Sequence, residues 1–222
     1  PDYASLFLNA AAHIQHHYLF NSTAYRGSYR NPPWYLAHGI DPVLQIYRVY
    51  DAVLADCFAL DPRPRVMIAT GLHQDPVDEP VFYWRLRDHA AFLRSLGCGF
   101  DAVEPRMSRD FLVTCADAAQ AAATAVRLAS GRAPDGLPLF EVDNRGASLF
   151  VTLSYAREVK PGFEARFDNA GVPDFAREVA FVAIKNGHHN GIGYFLDSGT
   201  RASPDAEPIP LTEPWQRMVS AF

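Results

Sequence analysis

The sequence predicts an α/β fold, and three observations support this prediction. Short apolar runs bounded by proline and glycine, such as RVMIA at 65–69, are typical of buried strands. Segments with helically spaced apolar residues, as at 6–20 and 42–60, alternate with these runs. Residues suited to helix caps precede several of the helical segments. With 222 residues, 49% of them hydrophobic, the chain can form a substantial core, and we predict a single domain over 1–222.

Local signals place the elements in chain order. A helix over 6–20 precedes a turn-rich aromatic loop over 21–39, and Asp41-Pro42 predicts the start of a second helix that ends near 60. The strand at 65–69 leads into the segment TGLHQ at 70–74, and a helix over 86–96 ends at Gly97. Strands at 179–184 and 194–196 flank a polar turn over 185–193. Thr212-Glu213-Pro214 predicts the start of a last helix.

A compact β-α-β-β block is expected within 101–155. After a short strand near 100–103 come a strand at 110–115, an alanine-rich helix capped by Asp117 and closed at Gly131, and strands at 139–142 and 148–155. The segment DNRG at 143–146 predicts a hairpin turn, since Asn and Gly tolerate positive φ. We expect this block to be an insertion packed on the main sheet.

Composition and charge exclude several classes of partner. The formal net charge is -5 and the arginines are scattered, which argues against binding of a nucleic-acid duplex. No apolar stretch approaches the length needed to span a bilayer, and the first residues lack the pattern of a signal peptide. We therefore expect a cytoplasmic protein without a membrane partner, although the start at Pro1 leaves room for an upstream portion. The pattern does not indicate an oligomeric state.

Histidines are the most informative residues. Six of the eight fall in three short segments, HIQHH at 13–17, TGLHQ at 70–74 and GHH at 187–189. Imidazoles collected in this way indicate a metal-assisted site. On a helix, His13, His16 and His17 share one face, with Asn9 one turn earlier. That face presents one or two metal ligands, or its histidines form hydrogen bonds within a semi-buried helix face.

The other two histidine segments lie beside predicted strands. His73 follows a buried strand, where α/β sheets build ligand sites. His188 and His189 occupy a glycine-flanked turn in which backbone can approach a bound ion closely. The alternative is an ordinary hairpin or crossover turn. Lys185 precedes this turn and is a candidate for neutralising an anion, or a solvated loop lysine.

In their order, these segments resemble the C-terminal part of the alkaline phosphatase superfamily, in particular its type I phosphodiesterase and nucleotide pyrophosphatase branch. NAAAH at 9–13 has the spacing of the family's Asp-x-x-x-His metal motif, and TGLHQ at 70–74 is similar to its Ser-Asp-His-Gly turn. HNGIGYFLDSG at 189–199 is similar to its late histidine and following strand. The resemblance implies a mostly parallel sheet flanked by helices, with 101–155 inserted.

The departures from the family pattern concern its acidic ligands. Asn9 stands where an aspartate is expected, and Leu72 stands where the aspartate of Asp-His-Gly is expected. Since an amide is a weaker ligand than a carboxylate and leucine does not coordinate, two full metal sites are not expected. The family's nucleophile lies before anything in this chain. The resemblance then implies that His13, His73 and His189 are the ligands of one divalent ion, with zinc as the expected metal, and that Asn9 is either a weak ligand or a hydrogen-bond partner of a ligand.

Two functions follow from the sequence. The first is a metal-dependent hydrolase of a small phosphate or sulfate ester, in which the ion polarises the ester and Lys185 stabilises the anion. The second is a catalytically degenerate protein of the same family that serves as a binding or structural module. The loss of both aspartates favours the second, and the retained histidines favour the first.

Overall fold

The computed structural model describes residues 3–60, 64–168, 170–201 and 207–220. It divides the chain into two compact units. Unit 1 consists of Pro1–Glu79 and Asn186–Phe222, and unit 2 consists of Pro80–Lys185. The chain therefore passes from unit 1 into unit 2 and back again.

Helices and strands alternate irregularly along the chain. The helices are α1 (Ala10–Tyr18), α2 (Pro42–Leu60), α3 (His89–Ser95), α4 (Ala118–Ala129) and α5 (Glu213–Val219). The strands are β1 (Met67–Ala69), β2 (His73–Leu86), β3 (Ala102–Pro105), β4 (Asp110–Thr114), β5 (Phe140–Asn144), β6 (Ser148–Leu153), β7 (Ala165–Phe167), β8 (Ala170–Val172), β9 (Val179–Asn190) and β10 (Phe195–Asp197). Short 3-10 turns cover Leu19–Asn21 and Phe175–Arg177.

The strands form small sheets, and the prediction of a mostly parallel sheet is wrong. Three two-stranded sheets pair β1 with β10, β2 with β9, and β7 with β8, while a four-stranded sheet has the order β3-β4-β6-β5. The β1–β10 and β7–β8 pairs and all three pairs of the larger sheet are antiparallel. Apolar runs indicated strands correctly, but they carry no information on the direction of the partner strand.

The first predicted strand illustrates the reason. The run RVMIA was interpreted as a strand buried on both faces, as in a parallel sheet. In the structure only Met67–Ala69 is extended, with Met67 opposite Asp197 and Ala69 opposite Phe195. Ile68 is 39% exposed, so this short strand is not enclosed by helices.

One strand, β2, was not predicted from the sequence, and another, β9, is longer than predicted. β2 runs over 14 residues although it contains Pro76 and Pro80, which a two-stranded sheet tolerates because each strand has a free edge. β9 runs over 12 residues through the segment 185–190, which we predicted as a turn. The glycine and asparagine content of that segment suggested a turn, yet its backbone is extended.

The helix starts predicted at Asp41 and Asp117 are confirmed, whereas the helices predicted from residues 6 and 86 begin at Ala10 and His89. Asp41 Oδ1 accepts a hydrogen bond from Leu44 N at 2.9 Å in the first turn of α2. Asp117 Oδ1 accepts from Gln120 N at 2.8 Å and caps α4. Both contacts satisfy backbone N–H groups that have no partner inside a helix.

Most of the buried apolar side chains lie in unit 2. Phe92 on α3 is 1% exposed, and its ring packs against those of Phe140, Phe167 and Phe175 at centroid distances of 5.7–6.1 Å. In unit 1, among the residues described, only Phe20 and Val43 are large hydrophobic side chains that are fully buried. Unit 2 therefore has a core of its own, and unit 1 depends more on polar contacts.

The three cysteines are free thiols, with Cys98 and Cys115 buried in unit 2 and Cys57 half-buried on α2. Across the part of the chain that is described, no helix combines the length and the apolar character required to cross a bilayer.

Candidate functional site

Three separate parts of the chain form a polar cluster in unit 1. They are helix α1, residues 73–75 at the start of β2, and residues 186–192 at the end of β9 and beyond. We call this the histidine cluster and define it by two side-chain pairs, His73 with Asp75 and His16 with His189.

The backbone of Gly187 allows these parts to approach one another. A Cβ atom at this buried position would lie 2.6 Å from Gln74 Oε1 and 3.3 Å from the carbonyl oxygen of Gln15. Gln74 Nε2 in turn donates to the carbonyl oxygen of Ala12 at 2.7 Å. A side chain larger than that of glycine would therefore require the Gln74 carboxamide to move and would crowd the backbone of α1.

A buried amide pair holds the same end of β9. Asn186 and Asn31 are 0% and 2% exposed, and their carboxamides exchange two hydrogen bonds of 2.8 and 2.9 Å. Asn186 Oδ1 also accepts from Phe20 N at 3.1 Å. These bonds satisfy polar groups inside unit 1 and place residues 187–190 next to α1.

The first pair is His73 and Asp75. His73 Nδ1 lies 2.6 Å from the carbonyl oxygen of Ile192, and His73 Nε2 lies 3.2 Å from Asp75 Oδ1. Since a carbonyl oxygen only accepts, Nδ1 carries a proton and donates it. In the neutral ring, Nε2 then presents a lone pair to the carboxylate. Two lone pairs that face each other at this distance need a cation between them, either a proton or a metal ion.

Asparagine 190 holds the other oxygen of Asp75. Its Nδ2 donates to Asp75 Oδ2 at 2.8 Å. This hydrogen bond is the main reason that the pKa of Asp75 lies below its ordinary value. Desolvation opposes the shift, while the hydrogen bond with His73 and the charges of His73 and His188 lower the pKa further. The carboxylate is therefore kept ionised and oriented toward His73.

The second pair is His16 and His189. Their Nε2 atoms are 2.8 Å apart and their ring centroids 4.6 Å apart. His16 Nδ1 lies 3.1 Å from the carbonyl oxygen of Gly187 and donates to it. The lone pair of neutral His16 therefore belongs to Nε2, the atom that faces His189.

The structure places the predicted ligands in different surroundings. His73 and His189 belong to the two pairs, whereas His13 is exposed and its ring packs edge-on against that of His17 at 5.0 Å. Asn9 precedes α1, and its side chain forms no capping hydrogen bond. Over the described ranges, no group of three or more His, Cys, Asp or Glu side chains is arranged to hold a metal ion. The set of His13, His73, His189 and Asn9 stays a prediction.

Lys185 lies inside β9 rather than in the predicted loop, and it belongs to unit 2. Its role as a group that stabilises an anion stays a prediction.

Sequence reasoning missed Asp75, Asn190 and the pairing of His16. The signal for Asp75 was present in the segment HQD at 73–75, because alternate residues of a strand point to the same face. We predicted no strand over residues 73–75, and the alternation therefore went unused. No local signal relates His16 to His189, which are 173 residues apart.

The chain was compared with protein-family models, curated proteins and solved structures. No family model, curated protein or solved structure matches it.

Proposed function

We propose that the protein is a metal-dependent hydrolase of a small phosphate or sulfate ester, and that it binds its divalent ion at the His73–Asp75 pair of the histidine cluster. The observation that carries this proposal is the His73–Asp75 pair, in which a ring nitrogen and a carboxylate oxygen face each other at 3.2 Å. Ligands that each lie about 2.0–2.2 Å from a tetrahedral zinc ion are separated by a similar distance. The donor set therefore fits the group that the sequence resemblance implies.

Asp75 supplies the carboxylate that Leu72 lacks. In the family pattern an aspartate directly precedes the histidine of the turn, and here that position holds an exposed leucine. Asp75 comes two residues after His73 instead, on the same face of β2. A carboxylate ligand is therefore present near His73 even though Leu72 cannot coordinate a metal.

Neighbouring groups orient both donors. The Ile192 carbonyl holds His73 in the tautomer whose Nε2 is available, and Asn190 holds one oxygen of Asp75 so that the other faces His73. Such outer contacts are typical of metal sites, where they fix ring orientation and raise ligand basicity. A bound divalent ion supplies polarisation of the ester oxygen and a more acidic water molecule.

The order of the sequence motifs supports hydrolysis of a phosphate or sulfate ester, whereas the arrangement of the sheets gives no such support. The resemblance to the alkaline phosphatase superfamily depends on the segments 9–13, 70–74 and 189–199, and two of these contribute to the His73–Asp75 and His16–His189 pairs. The small antiparallel sheets lend it no support. We therefore base the proposal on side-chain chemistry rather than on fold.

The test is hydrolysis of p-nitrophenyl phosphate, bis-p-nitrophenyl phosphate and p-nitrophenyl sulfate by protein that has been chelated and then supplied with Zn²⁺ or Mn²⁺. We expect turnover that needs added metal and falls by about 10-fold or more in Asp75→Asn and His73→Gln. Asp78→Asn is the matched control, because Asp78 is an exposed carboxylate on the same strand. Turnover that is absent, or that survives Asp75→Asn, contradicts the proposal.

A second candidate function is a binding or structural module without catalysis. Two observations support this function. Asn9 and Leu72 stand where the family pattern has acidic ligands, and each observed pair contributes only two potential ligand atoms. Metal binding that depends on Asp75, with no hydrolysis of any of the three esters, favours this function over the first.

A further inference from the structure

We propose that His16 and His189 form a second cation site, made of imidazole nitrogens alone and selective for a transition-metal ion such as Zn²⁺ or Cu²⁺. This site goes beyond the proposed hydrolase because it needs neither Asp75 nor any catalytic step. It also departs from the ligand set predicted from the sequence, in which the helix contributes His13.

The hydrogen bond from His16 Nδ1 fixes which of its ring nitrogens carries the lone pair. Its Nδ1 donates to the carbonyl oxygen of Gly187 at 3.1 Å, so the lone pair of the neutral ring lies on Nε2. A metal-bound histidine commonly donates its other ring N–H to a backbone carbonyl in this manner. Gly187 is also next to His188 and His189, so the same short segment orients one ligand and supplies the other.

The distance between the two nitrogens is close to that of a ligand pair. The Nε2 atoms are 2.8 Å apart, whereas two imidazole nitrogens about 2.0–2.1 Å from a tetrahedral ion are separated by about 3.3 Å. The rings need to separate by about 0.5 Å, which surface side chains can do by small torsional changes. His189 is exposed and His16 half-buried, so water or an anion can reach the remaining coordination positions.

The surrounding backbone holds the two rings in place before any ion binds. Helix α1 is linked to α2 through Ala11 N, which donates to Tyr50 Oη at 2.9 Å, and through Gln15, which donates to Tyr47 Oη at 3.2 Å. Asn186 is fixed by its buried amide pair only three residues before His189. The two rings therefore meet through tertiary structure, with 173 residues between them.

The ligand atoms distinguish this site from the His73–Asp75 pair. Neutral nitrogen ligands suit Zn²⁺, Ni²⁺ and Cu²⁺, whereas Mg²⁺ and Ca²⁺ require oxygen ligands. A site with two imidazoles and no carboxylate should therefore bind Cu²⁺ or Zn²⁺ in the presence of excess Mg²⁺. Ion binding at the His73–Asp75 pair, in contrast, needs the carboxylate oxygen of Asp75 in addition to one imidazole nitrogen.

The experiment is equilibrium dialysis of the whole chain against Cu²⁺ or Zn²⁺ with excess Mg²⁺, followed by elemental analysis. We expect His16→Gln and His189→Gln each to bind one ion per chain fewer than the wild type. His38→Gln is the matched control, since His38 is also exposed and lies in unit 1, and it should bind as many ions as the wild type. Circular dichroism checks that each variant is folded.

A spectroscopic readout tests the ligands directly. In the electron paramagnetic resonance spectrum of the Cu²⁺-loaded Asp75→Asn variant, nitrogen hyperfine structure from two imidazoles is expected, and His16→Gln in that background should abolish this signal together with the bound ion. A metal content that is unchanged in His16→Gln, or that falls in His38→Gln, overturns the inference. A wild-type protein that retains no ion also overturns it, because the contact between His16 and His189 is then only a hydrogen bond between two imidazoles.

The two proposals fail in different ways. If His16→Gln and His189→Gln each lose one ion but no ester is hydrolysed, the second site stands and the hydrolase does not. If hydrolysis depends on Asp75 while His16→Gln leaves the metal content unchanged, the hydrolase stands and the second site does not.

Discussion

The carboxamides of Asn31 and Asn186 hydrogen bond to each other in both directions, at 2.8 and 2.9 Å, with 155 residues between them. Asn31 Nδ2 also donates to the carbonyl oxygen of His17 at 3.0 Å. This pair joins the loop after α1 to the end of β9. Buried amides that satisfy one another in this way are costly to separate.

Replacing one partner should therefore destabilise unit 1 more than replacing both. Asn186→Leu leaves Phe20 N and the Asn31 amide without their acceptor, and we expect a loss of about 2–3 kcal/mol in the free energy of unfolding. The double variant Asn31→Leu/Asn186→Leu removes both amides, so its loss should be smaller than the sum of the single losses. Urea unfolding of the four proteins measures this coupling, and strictly additive losses contradict it.

Arg65 and Asp197 form a bidentate ion pair that should make the protein sensitive to acid. Arg65 Nε and Nη2 donate to the two carboxylate oxygens of Asp197 at 3.0 and 2.7 Å. These contacts with Arg65 are the main cause that lowers the pKa of Asp197 below its ordinary value. The carboxylate therefore contributes stability above the pKa of the unfolded side chain, near 3.9, and loses it as the pH falls through the lower folded value.

In the variant Asp197→Asn, the stability no longer depends on ionisation of this side chain. This variant should be less stable than the wild type at pH 7, and the difference should shrink as the pH falls below about 4. Thermal unfolding between pH 7 and pH 2 measures both curves, with Asp51→Asn as a control at an exposed carboxylate on α2. Parallel curves for Asp197→Asn and the wild type contradict the prediction.

The three thiols should react at different rates. Burial raises the pKa of Cys98 to about 11, and burial together with nearby aspartates raises that of Cys115. Because the thiolate is the nucleophile, both should resist a thiol reagent at pH 8 until the protein unfolds. Cys57 is half-buried on α2 and should react first. Reaction with Ellman's reagent should show one fast thiol that Cys57→Ser removes, and three fast thiols in the native state contradict this.

The surface of unit 1 carries most of the large apolar side chains that are exposed among the described residues, including Phe7 at 90% and Val49 at 53%. Apolar surface of this kind binds hydrophobic dyes and promotes association. We expect anilinonaphthalene sulfonate fluorescence with the native protein, lowered by the variant Val49→Lys on α2. Val126→Lys on α4 is the matched control, because Val126 is 66% exposed but lies in unit 2. Equal effects of the two variants contradict the prediction.

Several local features were predictable because their causes are local. Asp41 and Asp117 start their helices as expected, since a carboxylate at the N-cap satisfies the first backbone N–H groups whatever the rest of the fold does. The hairpin at 143–146 joins β5 to β6, with Gly146 at a φ of 86°. A non-glycine residue rarely adopts that φ, so the sequence marks the turn directly.

Sheet direction and strand length were not predictable in the same way. The run at 65–69 has the apolar character of a buried parallel strand, yet Met67–Ala69 pairs with Phe195–Asp197 in antiparallel fashion. The segment 186–190 has the composition of a turn, yet Gly187 is extended and buried where α1 and β2 leave no space for a side chain. In both cases the deciding partner is more than 100 residues away in the sequence.

By itself, the sequence determined where α2 and α4 begin, where the turn at 143–146 lies and that imidazoles are concentrated in three segments, because each of these depends on residues within a few positions of one another. Only the tertiary structure decided which histidine meets which partner. His16 rather than His13 faces His189, and Asp75 rather than residue 72 faces His73. The physical reason is that side-chain pairing depends on how distant backbone segments pack, and a helix that presents several histidines on one face does not specify which of them will be reached.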